Sequence, residues 1–199
     1  MKQVCVFCGS NAGNKPEYLR AADTVGATLA RRGIGLVYGA GNIGLMGAVA
    51  DACLAAGGEV TGIIPQALMG KEVAGRPVDH KTLTRCEVVD SMHTRKARMA
   101  ELSDGFIALP GGFGTFEELC EILTWSQLGF HGKPVGLLNI AGFYDPLLAL
   151  FDRAVEDGFL HPKNRAMALV DTDIDALLER MASYRADPVT KGLKDARNV

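Results

Sequence analysis

Residues 104–127 read DGFIALPGGFGTFEELCEILTWSQ, and the order of parts in this stretch decides the fold. Phe106, Ile107, Ala108 and Leu109 form an apolar run too short for a helix, with the character of a strand buried on both faces of a parallel sheet. Pro110-Gly111-Gly112-Phe113-Gly114-Thr115 follows; its three glycines permit a tight turn and let a ligand approach the backbone. Leu119, Ile122, Leu123 and Ser126 then recur at helical spacing, so a helix packs one face on the sheet. Thr115 is the expected N-cap, and Glu118, three residues on, completes a capping box. Free backbone N–H groups and the positive end of the helix dipole would converge there, so a phosphate is expected over residues 111–115. Two bland readings compete. A glycine-rich strand-to-helix turn can be geometry alone, and a glutamate in the place of Glu118 is commonly a capping partner. Glu117 adds a second carboxylate, unfavourable beside a phosphate unless cations stand opposite.

Outward from this stretch, strands and helices alternate. Residues 4–7 read as the first strand, ending in the small polar turn Cys8-Gly9-Ser10-Asn11. Residues 16–31 read as a helix with Pro16 at its start and Gly33 past its end. Residues 36–38 are the second strand, followed by Gly39-Ala40-Gly41-Asn42-Ile43-Gly44 and a helix over 45–56. Residues 60–64 are the third strand. Residues 66–85 mix glycine, proline and charge and read as loop with some helix near Leu68. Strands at 86–89 and 135–138, helices at 91–102 and 144–156, a short strand at 168–170 and a helix over 173–185 capped by Asp171 or Thr172 complete the pattern. This alternation predicts an α/β fold: a doubly wound parallel sheet flanked by helices, in three layers. Residues 1–186 are expected to form one domain and 187–199 a frayed polar tail.

Composition excludes several classes. A net charge of −2 gives no reason to expect nucleic acid or an anionic membrane as partner. No window approaches a transmembrane length without charges, and MKQVCVFCGS does not read as a signal peptide. The five cysteines are scattered and mostly in apolar runs, which fits reduced thiols in a cytoplasm. Cys5 and Cys8 form a C-x-x-C, but their odd separation on a strand sends them to opposite faces. His80, His93, His131 and His161 have no ligand spacing, so no metal site is expected.

In a doubly wound sheet ligands bind at the carboxyl ends of strands, near the switch point. Three small or glycine-rich turns lie at such ends: Gly9-Ser10, residues 39–44 and residues 111–115. Residues 39–44 satisfy G-x-G-x-x-G, but after the second strand instead of the first, and Glu59 precedes the next strand instead of ending it, which weakens a dinucleotide reading. No Gly-Lys-Ser/Thr follows any of these loops, so the Walker A pattern is absent. The cations that the central turn needs lie one strand earlier, at Arg95 and Lys96. Arg95 offers a planar fork suited to phosphate or carboxylate. The competing reading makes Arg95, Lys96 and Arg98 a solvated helix face.

Pro110-Gly111-Gly112-Phe113-Gly114-Thr115-Phe116-Glu117-Glu118 matches the pattern P-G-G-x-G-T-x-x-E, and Met92-His93-x-Arg95-Lys96 stands ahead of it. With Cys8-Gly9-Ser10, Tyr38-Gly39-Ala40-Gly41 and Thr124-Trp125-Ser126-Gln127-Leu128-Gly129, the chain resembles the LOG ("lonely guy") family of cytokinin riboside 5'-monophosphate phosphoribohydrolases, many once labelled lysine decarboxylases. The resemblance runs from Val4 to about Arg180. It implies a Rossmann-like fold and hydrolysis of the N-glycosidic bond of an adenosine 5'-monophosphate, plain or N6-modified, to free base and ribose 5-phosphate. Arg95 and Glu118 fall on the family's catalytic pair, and Gly111, Gly112, Phe113, Gly114 and Thr115 on its phosphate loop. Gly9, Ser10, Gly39 and Gly41 would line the pocket, with Met92 near the base; Lys96, Glu117 and Thr124 complete the expected binding set. The resemblance implies a nucleotide substrate, no cofactor, and a homodimer with helices of both subunits close to the site. Two other functions compete: a non-catalytic nucleotide-binding protein, and an amino-acid decarboxylase, which needs a pyridoxal phosphate lysine for which Lys96 is the only nearby candidate.

Overall fold

The computed structural model describes residues 1–69 and 83–186. Of the irregular stretch expected over residues 66–85, residues 70–82 lie outside the described residues, as does the expected tail from residue 187. Among the described residues seven strands form one parallel sheet: β1 (Gln3–Phe7), β2 (Gly35–Tyr38), β3 (Val60–Pro65), β4 (Arg85–Val89), β5 (Gly105–Ala108), β6 (Val135–Leu138) and β7 (Ala168–Asp171). Their spatial order is β4-β3-β2-β1-β5-β6-β7. The chain winds one way from β1 to β4, then returns to the centre and winds the other way. The switch point lies between β1 and β5, which pair through Val4↔Gly105, Cys5↔Phe106, Val6↔Ile107 and Phe7↔Ala108.

The reversal puts helices on both faces. On one face α1 (Pro16–Arg31), α2 (Gly44–Ala55) and α7 (Ile174–Ser183) pack over Val4, Val6, Leu36, Ile107 and Leu109. On the other, α3 (Met92–Leu102), α4 (Phe113–Gln127) and the start of α5 (Asp145–Glu156) cover Cys5, Phe7, Val37, Phe106 and Ala108. The central strands read as unbroken apolar runs because both of their faces are buried. Cys5 and Cys8 fall in different halves of the core, as the odd separation requires. α1 and α2 approach so closely that a Cβ on Gly26 would lie 2.2 Å from the Val49 carbonyl oxygen.

Most element ends fall within two residues of the sequence expectation, and three differences stand out. α6 (Pro162–Arg165), a single turn capped by the His161 side chain, lies where no helix was expected, because four residues carry no readable period. α7 is capped by Asp173, whose carboxylate accepts from the Ala176 N–H, so neither Asp171 nor Thr172 is the cap. The third concerns α4. Its N-cap is Gly112, extended at φ −101°, ψ −154°, and the helix begins at Phe113. Thr115 is therefore inside the first turn, no side chain caps the helix, and the expected Thr115–Glu118 capping box does not form. Glycine can take the extended corner without a side chain, which moves the start three residues upstream.

Candidate active site

Three loops meet above the β1–β5 seam. The Gly9 N–H donates to the Pro110 carbonyl at 3.0 Å, which ties the loop after β1 to the loop after β5. The Gly9 carbonyl in turn accepts from the N–H groups of Leu45 and Met46, at 3.0 and 3.3 Å. The first N–H groups of α2 are thus satisfied by the protein itself. The start of α4 has no side-chain cap and opens on a cavity of about 360 Å3, within the ~300–1,000 Å3 of small-molecule sites. Gly111, Gly112, Phe113, Gly114 and Thr115 line one wall, and Cys8, Gly9 and Ser10 another.

Arg95 and Glu118 both line this cavity, brought there from α3 and α4. Ser91 caps α3, accepting from the Thr94 N–H at 3.1 Å, and so fixes where Arg95 stands. Arg95 is buried to 9% exposure. Its Nη2 donates to the Gly39 carbonyl at 3.0 Å, and its Nη1 lies 3.7 Å from the Met92 sulfur. Its Nε is buried with no hydrogen-bond partner among the described residues. Gly39 is needed for this anchor, since a Cβ there would lie 1.6 Å from Nη2. A buried guanidinium with one donor unused and, among the described residues, no ion-paired carboxylate favours an anion in the cavity.

Glu118 is partly buried. Burial pushes its carboxyl up to about 7, opposed by the positive charge of Arg95 and reinforced by Glu117. It is therefore poised to exchange protons near neutrality, as a carboxylate serving acid–base chemistry should be. The Cys8 thiol is held well above its ordinary range by burial and by Glu118, so it stays protonated and inert.

Other expected site residues stand elsewhere. Lys96 does not line the cavity; its ammonium pairs with Glu117 and with Glu121, the latter at 3.1 Å. Glu117 is spent on that pair and also stands off the cavity. Met92 is half-exposed and reaches the site only through the Arg95 guanidinium. Thr124 is exposed, its hydroxyl donating to the Cys120 carbonyl at 2.7 Å. Gly39 and Gly41 lie behind the lining, Gly39 against Arg95 and Gly41 against Met46.

Sequence reasoning missed the cavity's apolar end. Tyr18 from α1 and Phe143 from the turn after β6 meet edge to face with centroids 5.9 Å apart, and both line the cavity together with Leu45 and Met46. Phe143 is held in turn by Phe116 at 6.1 Å and by Tyr144, whose hydroxyl donates to the Leu109 carbonyl at 2.6 Å. Nothing local marks Tyr18 or Phe143; only tertiary folding joins them. Asn11, Ala12 and Gly13 also line the cavity, and for them the signal existed, because they extend the small-residue loop after β1. Among the described residues no group of three or more His, Cys, Asp or Glu side chains could hold a metal ion.

An open parallel sheet with a glycine-walled cavity at its switch point, lined by a buried arginine, defines a doubly wound α/β protein of the ligand-binding kind. A family model described as possible lysine decarboxylase matches residues 46–181. LOGL9 of Oryza sativa subsp. japonica, named a probable cytokinin riboside 5'-monophosphate phosphoribohydrolase, is 50% identical over 183 residues, covering 92% of this chain and 78% of that one. LOG1 of Arabidopsis thaliana, named a cytokinin riboside 5'-monophosphate phosphoribohydrolase, is 49% identical over 183 residues, covering 92% and 84%. The chain belongs to the LOG family. Among solved structures, the molybdenum cofactor carrier protein of Chlamydomonas reinhardtii superposes with a TM-score of 0.66 over 91% of this chain and 98% of that one; at 21% identity the likeness is one of fold.

Proposed function

We propose that this protein is a nucleoside 5'-monophosphate phosphoribohydrolase, cleaving the N-glycosidic bond of an adenosine 5'-monophosphate, plain or N6-modified, to free base and ribose 5-phosphate. The observation that carries the reading is the juxtaposition of Arg95, buried and incompletely bonded, with Glu118, a carboxyl raised to about 7, in one cavity. The family's printed names supply the substrate class.

In this reading the phosphate lies on the uncapped N-terminus of α4, where the N–H groups and helix dipole favour it. The phosphate grip orients the ribose over Glu118. As the bond between C1′ and the base nitrogen breaks, positive charge develops on the ribose, and the Glu118 carboxylate stabilises it. Water adds at C1′; one of its protons passes to Glu118 and ends on the departing base. Arg95, steadied by the Gly39 carbonyl, holds phosphate or ribose and offsets the charge of Glu118. A decarboxylase reading is disfavoured by Lys96. Its ammonium is committed to two carboxylates, which hold its pKa above the ordinary value against the opposing effect of burial, so it is poorly suited to form a Schiff base.

We further propose a homodimer in the cytoplasm. Phe130 and Leu128 after and at the end of α4, and Met92 at the start of α3, leave apolar surface open that a second copy would cover. The five free thiols suit a reducing compartment.

The test is a product assay. The purified protein is incubated with AMP and, separately, with N6-isopentenyl-AMP, and free base is separated from nucleotide. Free base from either, abolished in Glu118→Gln, is the expected result, and the ratio of rates names the preferred base. Nucleotide bound without release of base would overturn the hydrolase reading.

A further inference from the structure

α3 and α4 lie side by side with charges on their facing surfaces. Lys96 is buried to 9% exposure, and its ammonium sits between Glu117 and Glu121, one helical turn apart on α4. Glu118 is next in sequence to Glu117 and faces the cavity. Three carboxylates therefore crowd one stretch of α4, and a single cation from the neighbouring helix is paired with the two that do not face the cavity. Lys96 follows Arg95, so the same turn of α3 that sends Arg95 into the cavity sends Lys96 onto α4.

We propose that Lys96 is a positioning residue for the reaction, whose ammonium pins α4 against α3 and neutralises Glu117 and Glu121, leaving Glu118 as the carboxylate presented to the cavity. The proposal rests on the reading that Glu118 is catalytic, and it departs from the expectation that Lys96 meets the substrate.

The electrostatics agree with this placement. The charged groups that act on Glu118 are Arg95 and Lys96 from α3 and Glu117 and Glu121 from α4; the thiols of Cys5 in β1 and Cys8 just after it also face Glu118, but their pKa values are held high and they stay neutral. Burial raises the Glu118 carboxyl; Arg95 and Lys96 lower it, and Glu117 and Glu121 raise it. Without Lys96, two unpaired carboxylates would stand beside Glu118 and hold it protonated to higher pH. An uncharged Glu118 can neither stabilise a cationic ribose nor take a proton from water.

The experiment compares Lys96→Met, Lys96→Arg and the double variant Glu117→Gln/Glu121→Gln with the wild type, over pH 5–9, on AMP or its N6-isopentenyl form. In Lys96→Met the acidic limb of kcat/KM should move up by about one pH unit, and kcat at pH 7 should fall roughly fivefold with KM little changed. Lys96→Arg should restore most of the rate, since an arginine can bridge the same two carboxylates. The double variant removes two negative charges beside Glu118, so its limb should move down, the opposite direction. A rise in KM at constant kcat in Lys96→Met would overturn the proposal in favour of direct substrate contact. A loss of rate with the limb unmoved in both variants would reduce Lys96 to a structural ion pair. If Lys96→Met does not fold, the direction of shift in the double variant decides. Titration of the Glu118 carboxyl by 13C NMR in the free proteins separates the two readings. A Glu118 shift in protein without hydrolase activity would sink the proposed function but leave the charge coupling standing; an unmoved Glu118 carboxyl in active protein would sink the coupling alone.

Discussion

Glu118 couples activity to stability through one proton. Its carboxyl is raised to about 7 in the folded chain against 4.5 when unperturbed. Between those values the folded state holds a proton that the unfolded state has lost, so stability falls as pH rises through the window. Above pH 7 both states are ionised, and the buried charge costs on the order of 3 kcal/mol. Glu118→Gln should therefore be inactive yet more stable than the wild type at pH 8 by up to that amount, with the advantage gone near pH 4.5. Urea unfolding at the two pH values reads this directly. Gly39 carries a second expectation. A methyl group there cannot coexist with the observed Arg95 guanidinium. Gly39→Ala should fold, displace that side chain by an ångström or more, and lose roughly 100-fold in kcat/KM, because misplacement on that scale costs about that much.

At the scale of elements, the contact between α1 and α2 turns on Gly26, whose missing side chain lets the Val49 carbonyl come close. Gly26→Ala forces two packed helices apart and should cost about 1–3 kcal/mol. A thermal melt should fall by about 2–4 °C per kcal/mol for a chain of this size; because Tyr18 of α1 and Leu45 and Met46 of α2 line the cavity, activity should fall too, but far less than in Gly39→Ala, which strikes Arg95 itself. Elements were the most legible part of the sequence. Each expected strand exists; the five inner ones are buried on both faces and are written as short apolar runs between glycines or polar turns, while β4 and β7 at the edges are only partly covered. What was not legible belongs to contacts between elements. The residues at 110–115 announced a turn, yet the helix started at Phe113 with Gly112 as its cap; threonine and glycine rank about equally as caps, so local preference did not choose between Thr115 and Gly112. Lys96 looked like a phosphate ligand until the face of α4 opposite it was known. Tyr18 and Phe143 are distant in sequence, and no local pattern joins them. The central turn and Arg95 were within reach because each sits near the start of a helix that follows a strand whose direction the alternating order had already set; Glu118, read from the residues only as a capping partner, was paired with Arg95 through the family resemblance alone.

For the whole molecule, a ligand bound only by the folded chain must stabilise it. In Glu118→Gln, which should bind AMP without consuming it, nucleotide at about 100 times its dissociation constant contributes about 2.7 kcal/mol. The melting temperature should then rise by about 5–11 °C, and adenosine, lacking the phosphate, should give much less at equal concentration. An unmoved melt with AMP would refute the assignment of the cavity as the nucleotide site.

The pairing of β1 with β5 has a consequence for how the protein comes into being. β1 leaves the ribosome first and can join β2 within some thirty residues, but its other edge must stay open until residues 105–108 appear. During that interval a strand apolar on both faces waits with its hydrogen-bonding edge exposed, the condition under which nascent chains stick to one another. Closing this edge also brings Gly9 to Pro110 and completes the wall of the cavity. The step that ends the chain's most vulnerable period in synthesis is thus the same step that makes it able to receive its ligand.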